Sequence, residues 1–158
     1  MKEIKKIASF TVDHRYITPG LYISRIDGDI TTYDLRTRKP NCDDYMDHAT
    51  MHTLEHMFAT YVRSSQIGED VLYFGPMGCQ TGFYLLVRNA DHSLVRRMVM
   101  ETLEKIIVHT DDVFGNSEIE CGNFRSLNLD AAKQECVRFL DVLKKDKSNF
   151  IYLEGQQL

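Results

Sequence analysis

Leu21-Tyr22-Ile23-Ser24-Arg25-Ile26, then Asp27-Gly28-Asp29, then Ile30-Thr31-Thr32-Tyr33-Asp34-Leu35-Arg36 is the stretch that decides the architecture. Two runs rich in β-branched and aromatic residues flank a Gly-centred turn signal, which reads as a β-hairpin. A second pair of runs, Val71 to Phe74 and Phe83 to Arg88, flanks a bend containing Gly and Pro. Neither pair leaves room for a helical crossover, so the strands should pair antiparallel. Elsewhere the apolar period lengthens to that of a helix. Leu54, Phe58, Tyr61 and Val62 mark a helix from about Asp47 to Ser65, with Asp47 placed to cap it. Leu94, Met98, Leu103, Ile106 and Ile107 mark a second, from Asp91 to His109, with Asp91 at its cap position. Cys136, Val137, Leu140 and Leu143 form the inward face of a third, from Asp130 to Lys145. Ile7 to Val12 reads as a further short strand. This order predicts an α+β fold: an antiparallel sheet with helices packed on one face, one domain over residues 1–158.

Composition narrows the function classes. A chain of 158 residues can bury roughly 68–70% of its unfolded surface as one domain. Eight Phe and eight Tyr supply bulk for that core, so disulfides are not needed to support it. The net charge is −4, and the densest cationic group, Arg36, Arg38 and Lys39, is too short for a nucleic-acid footprint. The first ten residues lack the apolar stretch of a signal peptide, and no run approaches a membrane span. The expected compartment is the cytoplasm, with neither nucleic acid nor membrane as partner. There Cys42, Cys79, Cys121 and Cys136 should be reduced, which makes them candidate ligands, nucleophiles or core residues.

His52-Thr53-Leu54-Glu55-His56 falls inside the first predicted helix. Side chains four apart share a helix face, so two imidazoles at this spacing can grip one divalent ion. Glu55 projects near the same face and can move protons beside the metal, in the inverted form of the zincin motif. A catalytic site needs a third protein ligand and an open position. His48 does not qualify, because eight residues separate it from His56, roughly 12 Å along the axis. Cys121, in Glu120-Cys121-Gly122-Asn123, sits in a loop that could bring a thiolate in. On its own a cysteine in such a place is more often a core residue than a ligand. Cys136 belongs to an apolar face, and Cys42 has no nameable partner. Gly75-Pro76-Met77-Gly78-Cys79-Gln80-Thr81-Gly82 can expose Cys79 near a ligand as a general base, or bury it in a turn.

Taken together, Ser9 to His14 (S-F-T-V-D-H), Asp34 to Arg36 (D-L-R), Pro40-Asn41, His52 to His56 (H-T-L-E-H), Gly75 to Gly82 (G-P-M-G-C-Q-T-G) and Glu120 to Asn123 (E-C-G-N) resemble the S-ribosylhomocysteine lyase (LuxS) family along nearly the whole chain. The resemblance implies a carbon–sulfur lyase. Its reaction cleaves the thioether of S-ribosylhomocysteine to homocysteine and 4,5-dihydroxy-2,3-pentanedione, the autoinducer-2 precursor, by metal-assisted carbonyl migration and β-elimination. It implies metal ligation by His52, His56 and Cys121, acid–base roles for Cys79 and Glu55, and substrate contacts from Ser9, His14 and Arg36. It further implies one divalent ion per subunit, Fe(II) natively with Zn(II) or Co(II) able to substitute, and a homodimer with active sites at the interface. Two segments depart from the family pattern: Leu72-Tyr73-Phe74-Gly75 stands where the family usually has I-D-I-S, and Thr37-Arg38 where it usually has F-C. Two other functions use the same residues. An inverzincin-type metallopeptidase would take Glu118, Glu120 or Glu135 as third ligand. A non-enzymatic zinc protein would close the site with His52, His56, Cys79 and Cys121.

Overall fold

A computed structural model describes residues 1–152. The hairpin forms as read: β1 (Gly20–Asp27) and β2 (Ile30–Arg36) run antiparallel, with Gly28 at φ +61° in the turn. β3 (Val71–Pro76) and β4 (Gly82–Arg88) form the second pair. β4 then pairs antiparallel with β2, which gives one sheet in the order β1-β2-β4-β3. This order sets Gly82 opposite Arg36 and so brings the bend between β3 and β4 beside the end of β2. Gly82 is required there: a Cβ would come within 2.7 Å of the Leu35 carbonyl oxygen.

Three helices complete the fold: α1 (His48–Arg63), α2 (His92–Ile107) and α3 (Leu129–Lys145). The Asp47 side chain caps α1 by accepting from the Thr50 N–H, and Asp91 does the same for α2 through Leu94. The strand alternation separates the two sheet faces. Leu21, Tyr33, Leu35, Phe83, Leu85 and Val87 face the helices and share one core with Leu54, Phe58, Val99, Ile106, Cys136 and Phe139. Tyr22, Asp34, Arg36 and Tyr84 alternate with them onto the opposite face. Tyr152 covers part of that face, stacking on Tyr22 at 4.6 Å. No helix among the described residues is long and apolar enough to cross a membrane.

Two expectations are corrected. Ile7 to Val12 is not a strand; it contains a 3-10 turn at Ala8–Phe10. The Thr11 amide and hydroxyl both donate to the Ala8 carbonyl, which satisfies the backbone locally in place of a ladder. Val137 does not face inward: it is 54% exposed. The buried face of α3 runs Cys136, Phe139, Leu140 and Leu143, spacings of three, four and seven that leave the next residue to the side.

Candidate metal centre and active-site cleft

His52 and His56 lie one helical turn apart on α1, their ring centroids 4.6 Å apart. The hydrogen bonds fix their tautomers. His52 Nδ1 is 2.8 Å from the Ser126 carbonyl oxygen, and His56 Nδ1 is 2.7 Å from that of Phe114. A carbonyl oxygen only accepts, so both Nδ1 atoms carry the proton and both Nε2 atoms keep a free lone pair. Cys121 reaches in from the loop before α3, with Sγ 3.3 Å from His52 Nε2. The Asn123 amide donates to that sulfur at 3.4 Å. One ligand atom from each of the three residues lies within 4.8 Å of the others. Two imidazole nitrogens and one sulfur form a donor set that suits zinc or iron, so these residues fit a divalent metal. Gly115, at φ +69°, lies so close to His56 that a Cβ there would sit 3.0 Å from Nδ1.

His48 stays outside this group; its Nδ1 pairs with the Ser126 hydroxyl. Glu55 is half-buried on α1, and no hydrogen bond or ion pair engages its carboxylate among the described residues. Two of the three carboxylates that a peptidase could use are engaged elsewhere: Glu135 accepts from Arg38 at 2.9 and 2.6 Å, and Glu120 accepts from the Ser117 hydroxyl. Glu118 is not a member of the His52–His56–Cys121 cluster.

The remaining candidates converge on the other face of the sheet. Ser9, His14, Arg36 and Cys79 line one open cleft of about 350 Å³, together with Phe10, Met77 and Tyr84. Arg36 is held by Asp34 through two hydrogen bonds of 3.1 and 2.7 Å. Burial works against the Arg36 charge, but Asp34 outweighs it by charge and hydrogen bonding, so the guanidinium's pKa is raised. Tyr152 donates its hydroxyl to the same carboxylate at 2.7 Å, and burial followed by the Asp34 charge pushes the phenol's pKa up. Arg36 Nη1 donates to the Thr81 hydroxyl at 2.8 Å and reaches Cys79 Sγ at 3.9 Å. Thr81 Oγ1 lies 3.0 Å from that sulfur, so its own hydrogen is free to point at Cys79. His14 Nδ1 donates to the Val12 carbonyl at 2.9 Å, which leaves Nε2 as an acceptor.

None of the cleft walls comes from α1 or the Cys121 loop. Within one chain the metal cluster and the Cys79 cleft are separate, and Cys79 is not a fourth member of the cluster. Tyr84 and Thr81 escaped the sequence reading. Alternation along β4 places Tyr84 on the Arg36 face, but the strand pairing had to be known first. The departing residues Thr37 and Arg38 do not line the cleft. Their amides both donate to the Thr81 carbonyl at 3.0 Å, which secures the Cys79 bend through backbone that any side chain supplies.

The family model described as S-ribosylhomocysteinase (LuxS) matches residues 7–150. The chain belongs to the LuxS family. Relatives named S-ribosylhomocysteine lyase support that membership over full length. The one from Borreliella afzelii (strain PKo) is 39% identical over 150 residues, covering 91% of this LuxS chain and 96% of the relative. That from Desulfotalea psychrophila is 41% identical over 142 residues, covering 86% and 89%. That from Finegoldia magna is 39% identical over 157 residues, covering 96% and 100%.

Proposed function

We propose that this protein is an S-ribosylhomocysteine lyase, splitting its substrate into homocysteine and 4,5-dihydroxy-2,3-pentanedione. The observation that carries the proposal is the His52–His56–Cys121 cluster, with both imidazoles in the ligating tautomer, on a chain of this family. When bound, a divalent ion supplies Lewis acidity that makes the C–H beside a substrate carbonyl removable. We assign Fe(II) as the native ion, one per subunit, with Zn(II) and Co(II) as substitutes.

The rest of the chemistry is proton movement. Cys79 takes a proton from one carbon and returns one to its neighbour, which walks the carbonyl from C1 toward C3 of the opened sugar. Glu55 serves the oxygens and then removes the proton at C4. The electron pair from that C–H forms the new double bond, the C5–S bond breaks, and the sulfur leaves with its pair and takes up a proton as homocysteine. Arg36 holds polar groups of the substrate, and the free Nε2 of His14 and the Ser9 hydroxyl bind ribose hydroxyls.

This division needs Cys79 and the metal cluster at one substrate, yet they lie apart in a single chain. We therefore take the working protein to be a homodimer whose interface joins the cluster of one subunit to the cleft of the other. We place it in the cytoplasm, where Cys79 and Cys121, both free thiols here, stay reduced. The decisive experiment loads purified protein with Fe(II) or Co(II) and follows thiol release from S-ribosylhomocysteine. Sustained release is expected; none from correctly metallated protein would overturn the proposal.

A further inference from the structure

His109 follows α2 and belongs neither to the metal cluster nor to the cleft, yet only 6% of it is exposed. A buried imidazole must place both ring nitrogens. Its Nε2 lies 2.9 Å from the Asp112 carbonyl oxygen, which only accepts, so Nε2 carries the proton. Nδ1 is then the acceptor, and the Tyr61 hydroxyl donates to it at 2.7 Å. Tyr61 stands on α1, five residues beyond His56. The Phe114 ring packs edge-on against both, with centroids 5.1 Å from Tyr61 and 5.0 Å from His109. Phe114 is the residue whose carbonyl receives the His56 proton. Lys133 of α3 adds a hydrogen bond to the His109 carbonyl at 2.6 Å.

The loop after α2 is thus fastened to α1 at two points, at Tyr61 through His109 and at His56 through Phe114. Gly115, next along, leaves the His56 ring its space, since a Cβ there would come 3.0 Å from Nδ1. We infer that Tyr61 and His109 are positioning residues for the metal centre, holding the Phe114 carbonyl against His56 Nδ1 so that its Nε2 stays aimed at the ion. The inference rests on the reading of His52, His56 and Cys121 as ligands. Neither residue touches a ligand atom; both act through the loop. Without the clasp, the His56 ring must be ordered when the ion binds, and affinity falls by the cost of that ordering.

The test titrates Zn(II) into apoprotein against a chromophoric chelator and records thermal unfolding of the same apoprotein. Tyr61→Phe keeps the ring and removes only the donor; it is expected to weaken Zn(II) binding about tenfold, the scale of lost outer partners at metal sites. His109→Gln, which also loses the ring contacts, should weaken it at least as much. Lower unfolding temperatures with unchanged Zn(II) affinity in both variants would show a merely structural role and overturn the inference alone. Wild-type protein that binds no Zn(II), or binds it equally well after Cys121→Ala, would remove the ligand reading and this inference with it.

Discussion

Cys121 and Cys79 both sit in connections between elements, and their surroundings differ. Cys121 has an imidazole nitrogen at 3.3 Å and a backbone amide donor, the company of a ligand. Cys79 has a hydroxyl and a guanidinium beside it and an open cleft in front. Cys121→Ala is therefore expected to lose bound metal, measured by metal content after dialysis. Cys79→Ala should keep full metal content and lose turnover by about two to four orders of magnitude, the range of a general acid–base group. Full activity in Cys79→Ala would refute its role. At this scale the sequence revealed which imidazoles gather, because four-residue spacing on a helix is enough to pair His52 with His56. It hid their supports. Ser126 and Phe114 contribute only carbonyl oxygens, a group every residue owns, so their identity carries no signal.

Among the elements, α1 matters most, since it carries both imidazoles and Glu55. Its start was legible from Asp47, whose carboxylate accepts the Thr50 amide at 2.8 Å. That backbone hydrogen bond is the main reason the Asp47 pKa is lowered from 3.8. With the folded pKa below the unfolded one, the stabilisation is complete above the unfolded pKa. It fades as pH falls through the lowered folded value. Asp47→Ala should cost about 1 kcal/mol of stability at neutral pH, and the difference from wild type should shrink in strong acid; denaturant unfolding at both pH values checks this. The N-terminal segment was misread because Ile7, Phe10 and Val12 have strand composition, while strand formation depends on a neighbouring ladder that no local pattern announces. Helices carry their own hydrogen bonds, which is why all three were legible within a few residues of their ends.

Over the whole molecule, the sheet separates the two groups of candidate residues, the cluster on the helix side and the cleft opposite. The antiparallel pairing followed from short connections in the sequence. The strand order β1-β2-β4-β3 did not, because it depends on which strands meet after α1 has crossed the core. If the cluster of one subunit works with the cleft of another, inactive Cys121→Ala and Cys79→Ala proteins should rescue each other. Unfolded together and refolded as a mixture, they should regain on the order of a quarter of wild-type thiol release, since about half the dimers are mixed and each holds one intact site. No recovery in demonstrably mixed dimers would show that each subunit works alone.

Tyr152 lies 73 positions downstream of Cys79 by numbering, yet it touches the carboxylate that steadies Arg36. Tyr152 is therefore a prop beneath the Asp34–Arg36 pair, one step removed from the Cys79 cleft. Tyr152→Phe, which removes only that hydroxyl, should lower turnover while the zinc content stays whole, and such damage would pass unnoticed in any check that counts only metal.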